Sequence, residues 1–422
     1  MSAAPLPRLL RGLDPRGALP LDRLLAVHGP LPVRPEPGRP DNGLIGAVTA
    51  AGLRGRGGAG FPAGTKMAAV AARRNTAVVV NATEGEPVSG KDRLLLRLAP
   101  HLVLDGAVAL AAAVGAGDAV VAVSEAMPAE HAALAAALRE RDARSVSERM
   151  RIEVRAVPHR FVSGEETALI SALNGGPGLP TTTPPRPFER GLGGRPTLVQ
   201  NCETACQAAL IARHGPRWFR EVGTRDEPGS ALVTLTGAVE RPGVHEIALG
   251  MPLDDLLAAA GGPTGPVRAV LVGGYFGSWI DGRDVAGLPL SDAGLRAHGG
   301  ALGARAIVVL STGSCGVVEL ARVARYLARE SAGQCGPCVN GLDAIAGGLE
   351  RLARGDGRDL DHLERWLALT ERRGACRHPD GAVAFIRSGL RVFAAEIRRH
   401  VVDRACTGDG RPVLPVPAGA AR

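Results

Sequence analysis

Aromatic residues make up only 3% of the 422-residue chain, too few for a protein that grips nucleic acid by stacking bases on rings. Lysine is scarcer still: Lys66 and Lys91 are the only two among 50 basic residues, and the rest are arginine. Those arginines are interspersed with 42 acidic residues and form no long basic block, so the net charge of +8 describes a solvated surface. No nucleic-acid partner is expected. Long hydrophobic runs are also missing. The most apolar stretch, from Gly106 to Gly117, stops at Asp105 and Asp118, and about 20 residues are needed to cross a bilayer. The start, MSAAPLPRLLRGLDPRG, has no apolar segment of the secretory type. A cytoplasmic protein without membrane insertion is the expectation. The seven cysteines are odd in number and cluster late in the chain, which points to metal or redox chemistry before disulfides.

What is abundant is glycine and proline, 57 and 32 residues, beside an ordinary hydrophobic share of 45%. That combination predicts a loop-rich folded protein of two or three domains. Residues 1–40 are proline-rich and read as an extended arm with one short helix. Residues 41–227 alternate helical and strand patterns, with strands predicted at Ala77–Val80, Ala119–Val123 and 152–157 and helices at 102–116 and 128–142. This is an α/β layer pattern. From 228 to 305 a hairpin, a short helix (Leu253–Ala260) and a third strand (Ala269–Val272) form a β-grasp pattern. Residues 306–402 turn helical, a small C-terminal bundle carrying Cys335, Cys338 and Cys376. Residues 403–422 read as a disordered tail.

Gly55-Arg56-Gly57-Gly58-Ala59-Gly60 matches G-x-G-x-x-G. The dinucleotide-binding version requires a strand before the glycines, whereas an amphipathic helix precedes them here, so that version is rejected. The physical content stands: glycines let main-chain N–H groups approach an anion, and Lys66, in a helix opened by Pro62 at its first position, is within reach of the same phosphate. A plain surface loop is the competing reading. Asn81-Ala82-Thr83-Glu84-Gly85-Glu86-Pro87 follows a buried strand, at the end where α/β sheets gather ligands. Glu84 and Glu86 there suit hydroxyl groups of a ribityl or ribose chain, or merely a polar turn. Ser163-Gly164-Glu165-Glu166 reads as a capping box with Ser163 at the N-cap and Glu166 three residues on, leaving Glu165 free to face a ligand. Cys335-Gly336-Pro337-Cys338, with Cys376 later, presents thiolates for a metal or redox centre. Cys202, Cys206, Cys315 and Cys406 read as core or incidental.

Taken in order, GLRGRGGAGFPAGTK (52–66), NATEGEP (81–87), KDR (91–93), GEETALISAL (164–173), RPTLVQNCET (195–204) and GQCGPC (333–338) resemble the NADH-binding, FMN-containing subunit of respiratory NADH:quinone oxidoreductase. The same module recurs in NAD-reducing hydrogenases and NAD-dependent formate dehydrogenases. The resemblance implies that Gly55, Arg56, Gly57 and Lys66 hold the FMN phosphate. It implies that Asn81, Glu84, Gly164, Glu165, Asn201 and Thr204 line the ribityl chain and flavin ring. Phe61, Glu86 and Glu166 match family positions near the NADH, the two glutamates being the catalytic candidates. FMN would take a hydride from NAD(P)H and pass electrons singly to a 4Fe-4S cluster on Cys335, Cys338 and Cys376, then to a ferredoxin or another redox subunit.

The sequence departs from the family pattern in two places. The first cysteine of C-x-x-C-x-x-C is Ala332, which leaves three cysteines. His378 is a candidate fourth ligand, and zinc or loss of the site are the alternatives. On the nucleotide side, Thr83, Phe161, Thr183, Arg186 and Ala69 stand where the family has a carboxylate, a tyrosine, a lysine and two aromatics. Arg186 suits the extra phosphate of NADPH or a carboxylate on a partner. A flavoprotein with another electron donor and a zinc-stabilised non-catalytic subunit are the rival readings.

Overall fold

Valine-rich runs too apolar to face water on either side build the first sheet, as parallel strands covered by helices require. In the computed structural model, which describes residues 6–144, 150–406, 408 and 411–417, these are β1 (Ala77–Ala82) and β2 (Asp118–Ser124), flanked by the more polar edge strand β3 (Arg151–Val157) and by β4 (Thr197–Asn201) in the order β3-β2-β1-β4. β1 runs parallel to both β2 and β4. The helices of this part are α1 (Leu21–His28), α2 (Asn42–Ala51), α3 (Ala63–Ala71), α4 (Lys91–Leu98), α5 (Pro100–Val114), α6 (Pro128–Ala143), α7 (Glu166–Leu173) and α8 (Cys202–Phe219). Together with residues 244–250 they form the first of two compact units, residues 1–85, 90–232 and 244–250.

α5 is the buried axis of this unit: nearly every residue in it is inaccessible, and it packs on α8. The contact is close because it is made of small residues. A Cβ on Gly106 would lie 2.6 Å from the carbonyl carbon of Ala205. Asp105 is a buried charge on α5, answered by Arg141 at 2.6 Å and by Arg213. Such a charge is tolerated only with its partners in place. The N-terminal arm is anchored: Leu19, Leu21 and Leu24 are buried, and the N–H groups of Arg8, Leu9 and Leu10 donate to Glu246 at 2.7, 3.0 and 3.1 Å.

The second unit takes residues 86–89, 233–243 and 251–422. After β5 (Ser230–Gly237) the chain forms β6 (Gly243–Ala248), which falls in the first unit from Val244 on, and then, in the second unit, α9 (Leu253–Ala259), β7 (Val267–Val272), β8 (Ser278–Asp281), the single turn α10 (Asp292–Leu295) and β9 (Ala306–Ser311). The sheet is mixed: β5 pairs parallel with β9, and β7 lies antiparallel to β9 and β8. Helices follow, α11 (Gly316–Arg329), α12 (Asp343–Ala353), α13 (Leu360–Thr370), α14 (His378–Val392) and α15 (Ala394–Arg398).

The structure departs from the sequence-based expectation in several places. Residues 306–311, expected to open the helical region, form strand β9 between β5 and β7. β4 has no counterpart in the sequence pattern, because it is five residues long and runs into α8 without a turn. Pro62 is the N-cap of α3, one residue outside the helix, with extended backbone. Part of the expected disordered tail is ordered. The N–H groups of Val413 and Leu414 donate to Glu319 at 3.1 and 3.0 Å, and Tyr275 donates to the carbonyl of Pro415. Leu414 supplies the reason, since its side chain is buried. Residues 407, 409–410 and 418–422 of that tail lie outside the described residues. Among the described residues no single helix is long and apolar enough to cross a membrane.

Candidate functional site

Parallel pairing places Asn81 at the end of β1 directly beside Asn201 at the end of β4. This is the carboxyl edge of the sheet, where α/β folds collect ligands. Two further segments of the first unit arrive there. The 3-10 turn before α7 brings Gly164, whose carbonyl accepts from the Asn81 amide at 2.9 Å. The glycine loop between α2 and α3 brings Gly57, where an added Cβ would sit 3.1 Å from Cβ of Asn201. The loop is closed at its base by Gly55 N–H donating to the carbonyl of Phe61 at 2.8 Å. Gly58 and Gly60 have φ of 123° and 62°, a region that side chains avoid. Among the described residues the N–H of Gly57 donates to no protein acceptor.

Lys66, on α3, reaches Glu166 at 2.6 Å. Both remain partly accessible, so the cation stands at the edge of the loop. Phe61 is 54% exposed.

Several expected ligand-facing groups are instead employed as scaffold. Arg56 is buried: its N–H donates to the Thr204 hydroxyl at 2.8 Å, and its guanidinium donates to the carbonyl of Ser230 at 3.0 Å. Thr204 is fully buried too. These two residues hold the loop from beneath. Glu84 accepts from the N–H groups of Asp92 and Arg93 at 2.9 and 2.8 Å, capping α4. The Ser163 capping box does not form. Glu165 is the N-cap of α7, its carboxylate accepting from the N–H groups of Thr167 and Ala168, while Ser163 donates to the carbonyl of Pro158. The 3-10 turn at Phe161–Gly164 delays the helix by two residues, which moves the capping duty from Ser163 to Glu165.

A buried charge network that the sequence did not suggest lies under the asparagines. Lys91 contacts Asp92 at 2.8 Å and Glu203 at 3.2 Å, and it donates to Asn201 at 3.3 Å. Burial opposes its charge, but Asp92 and Glu203 outweigh burial and hold its pKa above the ordinary value. Asn201 in turn donates to Asp92 at 2.7 Å and caps α8 through Glu203 N–H. Its orientation is therefore dictated from below. The signal was present in the lysine count, since one of only two lysines falls here.

Glu86 belongs to the second unit. Its carboxylate accepts from Tyr275 N–H at 2.9 Å, and burial pushes its pKa up to about 7 against that bond.

The second unit also holds the cysteines. Cys338 is buried, and Cys335 and Cys376 are half-buried. Burial first, then the neighbouring Cys335 and Cys376, push the Cys338 thiol up to about 12. Cys335 and Cys376 are both neighbours of Cys338, so the three thiols share one region of the second unit. His378, the candidate fourth ligand, is buried with Nε2 donating to the carbonyl of Leu327 at 2.7 Å. That edge of the ring is committed to α11. Cys315 and Cys406, read from sequence as incidental, gather instead with His400.

Comparison with known proteins agrees with this geometry. The family described as Nuo51 FMN-binding domain matches residues 48–210. The NADH-ubiquinone oxidoreductase-F iron-sulfur binding region matches residues 319–400, and the SLBB domain matches 232–274. The chain is 33% identical to the second NADH-quinone oxidoreductase F subunit of Rhizobium meliloti, over 95% of this chain and 99% of that protein. It is 35% identical to the NADH-quinone oxidoreductase F subunit of Mycobacterium bovis, over 90% of this chain and 89% of that protein. Among solved structures, NAD+-reducing [NiFe]-hydrogenase in the H2-reduced state superposes with a TM-score of 0.80 at 32% identity. That match covers 85% of this chain and spans 63% of the hydrogenase chain. With the identity to the Rhizobium meliloti subunit spread over nearly the whole of both chains, the chain belongs to the family of NADH-quinone oxidoreductase F subunits.

Proposed function

We propose that the chain is the FMN-dependent dehydrogenase component of an electron-transfer complex, taking electrons from NAD(P)H and passing them to a redox partner subunit or ferredoxin. The observation that carries this is the glycine cradle against Asn201 at the carboxyl edge of β1 and β4. FMN fits it: Gly57 and Lys66 would hold the phosphate through a main-chain N–H and one cation, while Gly55, whose N–H is spent on the carbonyl of Phe61, would shape the loop around it. Asn81, Gly164 and Asn201 would hold the ribityl chain. Arg56, Thr204, Glu84 and Glu165 are proposed to act through the frame, because their polar atoms are spent on helix and loop ends. When bound, FMN supplies hydride acceptance and single-electron release.

The protein's own groups prepare that exchange. The Lys91–Asp92–Glu203 network fixes the Asn201 amide before any ligand arrives, so little ordering remains to be done on binding. Glu166 neutralises Lys66 until a phosphate replaces it. Phe61 offers a ring face to the nicotinamide nucleotide. Glu166, and in the second unit Glu86 with its carboxyl poised near neutrality, are the proposed acid groups. Cys335, Cys338 and Cys376 would hold a 4Fe-4S cluster, a one-electron acceptor, with Ala332 leaving the fourth iron without a cysteine. The mixed sheet with α9 is inferred to be a β-grasp, supported by the SLBB match, and helices α11–α15 the iron–sulfur bundle. The three domains proposed from sequence are residues 41–227, 228–305 and 306–402; because β9 (Ala306–Ser311) pairs with β5 and β7, the last boundary is proposed to fall after residue 311.

Stopped-flow bleaching of the bound flavin by NADH and by NADPH tests the reading. Bleaching by either coenzyme is expected, and preference for NADPH would assign its extra phosphate to a cation such as Arg186. Flavin that stays yellow with both would overturn the dehydrogenase role.

A further inference from the structure

Cys315, His400 and Cys406 are spread over 92 residues of the chain, yet their ligand atoms all lie within 4.8 Å of one another. Cys315 Sγ and His400 Nε2 are 3.2 Å apart. A tetrahedral zinc ion with Zn–S of ~2.3 Å and Zn–N of ~2.1 Å sets neighbouring ligand atoms about 3.5–3.8 Å apart, so the group is near that spacing.

The surroundings prepare each ligand. His400 Nδ1 donates to the carbonyl of Ala353 at 3.0 Å. That bond fixes the tautomer and turns the lone pair of Nε2 toward Cys315, the arrangement in which metal-bound histidines are found. Cys315 is the N-cap residue of α11, so its sulfur sits at the helix start. Glu396 accepts from Gly316 N–H at 2.9 Å, holding the turn that presents the sulfur. Gly408 lets the chain after Cys406 press onto Cys315: a Cβ there would lie 2.7 Å from Cβ of Cys315. Cys315 and His400 are buried, and Cys406 is exposed. The approach to a fourth coordination position is therefore from solvent.

We propose that Cys315, His400 and Cys406 form a zinc site separate from the cysteines of the iron–sulfur region. Three protein ligands leave one position for water. The ion ties the start of α11 to the π-helical turn after α15, Arg399–Asp403, and to the segment that follows. Nothing in it takes part in hydride or electron transfer.

The test uses the full chain with its cofactors, purified under reducing conditions, then stripped of zinc with a chelator and titrated with Co2+. One equivalent of zinc is expected before stripping. Co2+ is expected to give a sulfur-to-metal band in the near ultraviolet and visible bands of tetrahedral intensity. In Cys406→Ser, an exposed position whose change leaves the core intact, cobalt affinity should fall at least about tenfold while flavin content is unchanged. Cys338→Ser should keep the cobalt bands. Cobalt bands that survive Cys406→Ser, or vanish in Cys338→Ser, would overturn the site. So would protein purified without zinc, or peptide mapping that finds Cys315 and Cys406 joined as a disulfide.

Discussion

Gly57 and Glu86 are two residues whose chemistry follows from a single atom's surroundings. A methyl group at Gly57 meets Asn201, which is held by Lys91 and Asp92 and has little room to retreat. Gly57→Ala is expected to lower FMN affinity by about tenfold or more, since each 1.4 kcal/mol is a factor of ten. Fluorescence titration of the flavin-free protein measures this, and an unchanged affinity would remove Gly57 from the cradle. Glu86 titrates near pH 7 in the folded state because burial disfavours its charge. Its unfolded value is lower, so between about pH 4.5 and 7 the native chain keeps a proton that the unfolded chain has lost. Stability from this group is thus complete at acid pH and declines as pH rises through that interval. Denaturant unfolding at about pH 5 and pH 8 should show the decline, and Glu86→Gln should flatten it.

At the scale of elements, the contact of α5 with α8 decides whether the first unit stays folded. Gly106 faces the main chain of Ala205, where no rotamer change makes room. Gly106→Ala should cost about 1–3 kcal/mol, seen as a lower denaturant midpoint with unchanged slope. Asp105 on the same helix joins Arg141 and Arg213 across elements. Asp105→Ala leaves both cations buried without their carboxylate and should cost about 3–5 kcal/mol. A milder loss in Asp105→Asn than in Asp105→Ala would show that hydrogen bonding carries part of the effect. Helix starts follow a similar logic. α4 and α7 take their caps from Glu84 and Glu165, so two carboxylates close to the site are spent on holding helices that frame it.

Across the whole molecule, flavin chemistry is proposed for the first compact unit and the iron–sulfur cysteines for the second. Cys338→Ser is therefore expected to lose bound iron while retaining one FMN per chain. Iron analysis beside the flavin spectrum checks this, and equal loss of both would show that the units depend on each other for cofactor retention. Much of this arrangement is legible in the sequence. Continuous valine runs can only be buried parallel strands, a run of glycines can only be a tight loop, and C-x-x-C places two thiols together, all of them local properties of neighbouring residues. β1, β2, the glycine loop and the Cys335–Cys338 pair follow from these. Folding alone settles which polar groups are free. Glu84, Glu165 and Arg56 look available until helix ends and a buried floor claim them. The Lys91–Glu203 network and the Cys315–His400–Cys406 group depend on contacts between residues more than 80 positions apart. Such pairings have no period and no spacing rule. They arise only when layers of secondary structure close over a shared core.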